Sequence, residues 1–90
     1  MPELLPDAYL QEVRNRCFAA TAGPWIASRE GRDHTSGSSV ILRGLDSSQS
    51  DLELIGGTDA DYDFIAHARQ DIPRLLNEID RLRSLLESRN

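Results

Sequence analysis

The sequence predicts an α+β domain in which a first helix precedes a three-stranded antiparallel meander and a kinked pair of C-terminal helices. Apolar residues recur at helical spacing over residues 6–21 and again after residue 58, whereas they alternate with a period of two between residues 24 and 55. The chain has 90 residues, and a chain of this length buries only about 60% of its unfolded surface. We therefore expect one domain, residues 1–90, that gains stability from a partner.

The first helix is predicted over residues 6–21. Its apolar stripe has regular helical spacing and consists of Leu10, Val13, Cys17 and Ala20. Asp7 places an acid at the positive end of the helix dipole. Gly23 offers a left-handed cap and Pro24 cannot continue a helix, so the helix should end near Thr21.

Three short strands are predicted between residues 24 and 55, from the segments "WIASRE", "SVILRGL" and "DLELIGG". Trp25, in the first strand, is interpreted as a core anchor, and the alternative is a platform on which a ligand stacks. Residues 44–50 are predicted to form a polar turn between the second and third strands.

Two helices, over residues 58–70 and 71–88, are predicted to end the chain, because Pro73 breaks or kinks the helical pattern. Thr58 and Asp61 have the spacing of a capping box. The last helix carries a heptad-like apolar seam made of Ile72, Leu75, Leu76, Ile79, Leu82, Leu85 and Leu86. Three short strands cannot cover this seam, so we predict a homo-oligomer, most simply a two-fold dimer. The alternative is that the helix packs wholly on its own sheet.

The run "GRDHTSGSS" at residues 31–39 is the candidate binding loop. Arginine, hydroxyls and glycine-freed amides favour anions, but the run lacks the spacing of a phosphate-binding loop. The candidate ligand or partner residues are Trp25, Arg29, Arg32, His34, Thr35, Ser36, Ser38 and Arg43. The three arginines are expected to converge near one end of the sheet. The alternative is a plain mobile hairpin.

Composition argues against several function classes. The net charge of −5 disfavours non-specific nucleic-acid binding. No run approaches the about 18 apolar residues of a membrane span, and the N-terminus lacks the regions of a signal peptide, which predicts a cytoplasmic protein without membrane contact. Two histidines and one cysteine without paired spacing form no metal-ligand set, and no nucleophile has an oriented base. We therefore expect no cofactor, no metal and no catalytic residue.

Two segments of the chain, "RCFAATAGPW" and "DADYDFIAHARQDIPRLLNEIDRL", resemble a phage protein family. They are similar to the two halves of the Ead-type early-region proteins of lambdoid phages and prophages. The matching residues are Ala19, Ala20, Thr21, Gly23, Pro24, Trp25, Asp61, Phe64, Ile65, Ala66, Ala68, Pro73, Leu75, Leu76, Glu78 and Leu82. The resemblance leaves the middle of the chain unmatched. It implies an accessory phage protein that alters the host or blocks its defences, and it transfers no catalytic residues.

Two functions follow as hypotheses. In the first, the protein is a non-catalytic phage accessory protein that binds and inhibits a host defence protein stoichiometrically, in the cytoplasm of the infected bacterium. In the second, it sequesters a small anionic signalling nucleotide used in host defence. The nucleotide would be held by Arg29, Arg32 and Arg43 together with the loop hydroxyls at a subunit boundary.

Overall fold

The computed structural model describes residues 4–44 and 51–89 and confirms the α+β class. Its elements are α1 (Asp7–Ala19), β1 (Trp25–Ser28), β2 (Val40–Arg43) and α2 (Asp59–Ser88). The chain forms two compact units. The helical unit consists of Met1–Ala20 and Asp71–Asn90, and the sheet unit consists of Thr21–Gln70. One domain over residues 1–90 stays a prediction.

The first helix is confirmed, and it ends at Ala19, two residues before the predicted end. Ala20 leaves the helix in an extended conformation, and its N–H still donates to Arg16 O at 3.1 Å. The left-handed cap expected at Gly23 is wrong, because this glycine has no positive φ and is joined to Pro24 by a cis peptide bond. Extended backbone at Ala20 ends the helix without a glycine cap.

The sheet has two strands, paired antiparallel with Trp25 opposite Arg43 and Ser28 opposite Val40. One face carries Ile41, which packs with Tyr62 and Ala66 of α2 to form the core of the sheet unit. The partly buried side chains around this core are Trp25, Ala27, Leu52, Leu54 and Ile65. The other face carries Ile26 and Leu42, which are 49% and 38% exposed, so apolar residues occupy both faces of the sheet and do not by themselves mark the buried one.

The predicted third strand is wrong as a strand and is reduced to one bridge. Leu52 exchanges two backbone hydrogen bonds with Ile41, at 2.7 and 3.0 Å. The ladder stops there because the N–H of Leu54 donates to the Tyr62 hydroxyl at 3.1 Å instead of to a neighbouring strand. Most of the polar turn predicted at residues 44–50 lies outside the described residues, since residues 45–50 are not described.

The predicted helix pair is not confirmed, because α2 is one continuous helix that contains Pro73. Proline removes one helical hydrogen bond, whereas a break would expose up to four carbonyls and four N–H groups at two new helix ends. Continuation therefore leaves fewer backbone groups without partners. At the start of α2 the capping box is confirmed: Thr58 N–H donates to Asp61 Oδ2 at 3.0 Å, and Asp61 N–H donates to Thr58 Oγ1 at 3.1 Å.

In the helical unit, α1 runs antiparallel to the C-terminal part of α2. Two ion pairs join them, Arg14 with Asp80 and Asp7 with Arg83. Leu10 lies on the same face of α1 as Asp7 and Arg14, and it is buried. Leu76 is also buried, only 5% exposed, and lies on the α2 face that carries Asp80 and Arg83. Leu76 is therefore unavailable to a second copy of the chain, which corrects its assignment to an oligomer interface.

Neither described helix combines the length and the apolar character that a bilayer-spanning segment needs.

Candidate functional site

The loop between the two strands, residues 29–39, begins as a hydrogen-bonded turn. Asp33 Oδ2 accepts the Arg29 N–H at 2.8 Å, and the Gly31 N–H donates to His34 O at 2.7 Å. Ser39 Oγ closes the loop by accepting the Glu30 N–H at 3.0 Å. These bonds give the first half of the predicted binding loop a defined backbone.

Arg29 is held against the N-terminal part of α2. Its guanidinium lies 4.3 Å from the centroid of the Tyr62 ring and its Nε–H donates to Asp59 Oδ1 at 2.6 Å. The hydrogen bond to Asp59 raises the pKa of Arg29, so the guanidinium stays charged. The stacking on an aromatic face is the geometry of a cation–π contact.

Arg32 makes a two-pronged contact with Asp63 of α2. Its Nη1 and Nη2 donate to the two Asp63 oxygens at 2.9 and 3.0 Å. The same guanidinium donates to Asp33, which raises the pKa of Arg32, and Asp63 contributes in the same direction. Exposed ion pairs contribute little stability, but a bidentate fork fixes orientation. Arg29 and Arg32 therefore hold the loop to the acidic start of α2, and an added anion would compete with these carboxylates.

The third predicted arginine does not join the other two. Arg43 lies opposite Trp25, whereas Arg29 follows Ser28 at the other end of β1. Arg43 Nη1 donates to Thr21 Oγ1 at 3.0 Å. The expected convergence of three arginines is wrong, because it depended on the strand register, which the sequence does not specify.

Trp25 lies against the sheet-unit core, and its indole N–H donates to Thr21 O at 3.1 Å. This placement supports the core-anchor interpretation rather than a stacking platform. Among the loop residues, Thr35 and Ser36 are exposed, and Ser38 lines a shallow groove with Val40, Asp51 and Glu53. His34 is half-buried, and its Nδ1 has no hydrogen-bond partner within the described chain.

The outer edge of β1 is closed at both ends by side chains. Gln70 pairs with Trp25 as a neighbouring strand would, since its Oε1 accepts the Trp25 N–H at 2.8 Å and its Nε2 donates to Trp25 O at 3.1 Å. At the other end of this edge, Asp33 accepts the Arg29 N–H. Ala27 is the middle residue between these two hydrogen-bonded positions. An edge this short gives little room for an added peptide strand. Partner binding is better supported by side-chain surfaces.

A second groove in the sheet unit carries exposed hydrophobic residues. We name it the Ile55–Phe64 groove; it is lined by Leu54, Ile55, Gly56, Gly57, Asp61, Phe64 and Ile65. Ile55 is fully exposed and Phe64 is 75% exposed. Because both large side chains face solvent beside one groove, they are candidates for contact with a partner.

Two glycines shape the turn that presents Ile55. Gly56 has φ of 77°, a conformation that L side chains rarely adopt. A Cβ at Gly57 would lie 3.0 Å from the Tyr62 ring and 3.1 Å from Leu54 Cβ, so the backbone packs closely on this buried ring. The turn is thereby held against Tyr62.

The position of Phe64 in the sequence indicates that its side chain lies outside the core. Tyr62 and Ala66 are buried, and Phe64 lies two residues from each, which is the opposite side of a helix. Ile55 follows the alternating Leu52 and Leu54 and so falls out of their apolar phase. Apolar residues out of phase with the core indicate exposed hydrophobic surface.

The helical unit has an exposed apolar surface of its own. We name it the leucine stripe; it consists of Leu75, Leu82, Leu85 and Leu86, which are 47–62% exposed. At 100° per residue these positions fall within about 100° of one side of α2, a separate side from buried Leu76. Ile72 is exposed and Ile79 is half-buried beside the stripe. Most of the predicted seam is thus open in the single chain.

In residues 4–44 and 51–89, no group of three or more histidine, cysteine, aspartate or glutamate side chains is placed to hold a metal ion. No protein-family model, no curated protein and no solved structure matches the chain. The phage-family resemblance therefore stays a prediction from the sequence.

Two of the hydrogen-bonded carboxylates make stability depend on pH. The hydrogen bond from Arg32 lowers the pKa of Asp33, and the Thr58 backbone N–H lowers the pKa of Asp61. A carboxylate with a lowered folded-state pKa contributes stability above its unfolded pKa, and this stability is lost as pH falls through the folded value. We expect the loss to begin at about pH 4, the usual range of aspartate.

Urea unfolding at stepped pH values, followed by circular dichroism, measures this loss. The midpoint should fall on acidification in the wild type and fall less steeply in Asp61→Asn, which removes one of the titrating groups. A midpoint that stays constant below pH ~4 would contradict the prediction.

Proposed function

We propose that the protein is a non-catalytic binding protein that assembles as a homodimer and inhibits a host protein by stoichiometric contact. The observation that carries the proposal is the leucine stripe of α2, four large aliphatic side chains that the single chain leaves exposed. These side chains are about half exposed, so burying the remainder of each contributes about 0.7–1.5 kcal/mol, and two-fold symmetry uses the same stripe twice. A second copy is the simplest molecule with a matching surface.

The charges along the stripe favour an antiparallel second copy. Asp71 lies on the side of α2 that also carries Leu75 and Leu82, and Arg89, the residue that follows α2, comes about five helical turns later and so near the same side. In an antiparallel pair, Asp71 of one copy lies near Arg89 of the other, and this occurs twice. A parallel pair would instead bring identical charges together, which is unfavourable.

The host and phage context comes from the sequence resemblance. Within that context, the proposed setting is the cytoplasm of an infected bacterium, and the proposed target is a defence protein. The sheet unit supplies support for a protein target, because it exposes Ile55 and Phe64 beside a groove. The absence of predicted catalytic residues in the sequence agrees with binding as the mode of action.

The nucleotide-sequestering alternative has weaker support. Arg29 and Arg32 already contact Asp59 and Asp63, and Arg43 lies at the opposite end of the sheet from both. A bound phosphate would have to displace two carboxylates. A nucleotide present at about 100 times its dissociation constant should raise the free energy of unfolding by about 2.7 kcal/mol. Thermal melting with a panel of nucleotides therefore tests this alternative.

The homodimer is tested by light scattering on the full chain at micromolar concentration. We expect a particle of twice the 10.1 kDa chain mass. A well-folded particle of 10.1 kDa would reject the assembly and leave the leucine stripe without its proposed occupant.

A further inference from the structure

We propose that the Ile55–Phe64 groove binds a segment of the target protein that combines cationic side chains with an aromatic or aliphatic anchor. This inference rests on the proposed binding function, but not on the homodimer, because every residue of the groove belongs to the sheet unit. It specifies the chemistry of the partner, which neither the composition nor the loop motif indicates.

The apolar half of the inference comes from Ile55 and Phe64. Both side chains are presented on constrained backbone: Phe64 lies inside α2, and Ile55 precedes the turn that Gly56 and Gly57 pack on the Tyr62 ring. Because this backbone is already fixed, a partner that covers the two side chains does not have to order it. Aromatic residues are frequent anchors of protein interfaces.

The cationic half comes from three carboxylates near this surface. Asp61 lines the Ile55–Phe64 groove, and Asp51 and Glu53, which shortly precede the lining residue Leu54 in the chain, line the groove that also contains Ser38 and Val40. Within the described residues, none of these three takes part in an ion pair. Asp61 is partly compensated, because it accepts the Thr58 N–H and interacts with the charge of Arg29. Asp51 and Glu53 carry the uncompensated charge, so a lysine or arginine near them gains interactions that an acidic segment would oppose.

The acidic residues on the loop side of α2 differ from these three carboxylates, because they form ion pairs. Asp59 and Asp63 are paired with Arg29 and Arg32, so the loop side of the α2 N-terminus is largely neutral. The uncompensated negative charge lies at Asp51 and Glu53. A second copy of this chain is a poor occupant, since a two-fold contact would place the same carboxylates against each other.

A selection experiment tests the chemistry without assuming a target. The wild-type chain is immobilised and challenged with a displayed library of random peptides, and recovered sequences are synthesised and measured by fluorescence anisotropy. We expect enrichment of peptides with arginine or lysine beside an aromatic or aliphatic residue. Enrichment of acidic or uncharged peptides, or of none, overturns the proposal.

Variants then locate the binding. Phe64→Ser and Ile55→Ser should each weaken the selected peptides by roughly tenfold or more, as expected for anchor residues. Phe18→Ser is the matched control, because Phe18 is a phenylalanine of α1 that is 84% exposed in the other unit. Circular dichroism confirms that each variant folds. Equal binding by Phe64→Ser and wild type overturns the proposal.

The salt dependence of peptide binding tests whether the carboxylates attract a cationic partner. The double variant Asp51→Asn, Glu53→Gln should bind the cationic peptides more weakly and with a smaller salt dependence than wild type, because two rim charges are lost. An unchanged salt dependence overturns the cationic part. Peptide binding by a chain that proves monomeric would keep this inference and reject the homodimer, whereas a dimer that binds no peptide would do the reverse.

Discussion

Tyr62→Ala is expected to lower the free energy of unfolding by about 3–5 kcal/mol, the usual loss for a large buried aromatic side chain. A domain of this length has about 4–14 kcal/mol in total, at 0.05–0.15 kcal/mol per residue, so the variant should lose at least about a fifth of its stability. Tyr62 is almost fully buried between Ile41 and Ala66, and its ring also packs on the turn at Gly57. One side chain therefore joins α2, the sheet and the groove turn.

The hydroxyl of Tyr62 is expected to contribute separately. It accepts the Leu54 N–H at 3.1 Å and lies 3.2 Å from both Ser39 O and Leu54 O, either of which can accept its proton. Tyr62→Phe keeps the ring but leaves the Leu54 N–H without this acceptor, which costs about 1–3 kcal/mol. Urea unfolding followed by circular dichroism measures both variants.

Tyr9→Ala serves as the control for the Tyr62 series. Tyr9 is an exposed tyrosine of α1, so its loss should change the free energy of unfolding by no more than about 0.5 kcal/mol. If Tyr62→Phe were as stable as wild type, the hydroxyl would not be what ends the ladder at Leu54. If Tyr62→Ala changed the free energy of unfolding as little as Tyr9→Ala does, Tyr62 would not belong to the core of the sheet unit.

Local patterns predicted the parts of the fold that depend on local physics. The capping box of Thr58 and Asp61 and the stripe of α1 each involve residues a few positions apart, where hydrogen bonds and helical phase follow from the order of residues. These features need no knowledge of how distant segments meet.

The errors arose where two costs compete or where distant segments meet. Pro73 was expected to break or kink the helical pattern, yet continuing α2 loses fewer backbone hydrogen bonds than forming two new helix ends. Leu54 has the sequence pattern of a strand residue, but its backbone N–H donates a hydrogen bond to the Tyr62 hydroxyl instead of to a neighbouring strand. Secondary-structure propensity cannot distinguish these alternatives, because each depends on a contact that exists only in the folded chain.

The candidate site was the least predictable part of the chain for the same reason. Arg29 and Arg32 were expected to be available for an anion, but their partners Asp59 and Asp63 lie about thirty residues further along the sequence. Nothing in the loop itself specifies that pairing. Exposed Phe64 was visible only as an apolar residue on the wrong side of a helix.

Replacing leucines of the stripe with glutamate is expected to convert the homodimer to a monomer. Leu82 is 47% exposed in the single chain, so Leu82→Glu removes about 0.7–1.5 kcal/mol of burial per copy, hence roughly 1.4–3 kcal/mol per dimer, and the dissociation constant should rise about 10- to 10²-fold. Leu75→Glu should act in the same way. Sedimentation equilibrium or light scattering over a concentration series measures the change.

The control for the stripe variants is Leu4→Glu. Leu4 is a highly exposed leucine that precedes α1, so this change adds the same charge without touching the stripe. The proposed interface predicts that Leu4→Glu dimerises as wild type does, while Leu82→Glu does not. Equal dimerisation of both variants would place the contact elsewhere on the chain.

Charge exchange at the ends of the stripe tests the direction of the pair. In the antiparallel arrangement, Asp71→Arg sets two arginines of the partner copies together, and Arg89→Asp sets two aspartates together, so each single variant should dimerise more weakly. The double variant restores opposite charges at both ends and should recover affinity, since exposed pairs of this kind couple by about 0.2–1 kcal/mol each. A parallel pair would gain nothing from the second change, because identical residues would still face each other. Recovery in the double variant therefore distinguishes the two directions even where the total effect is small.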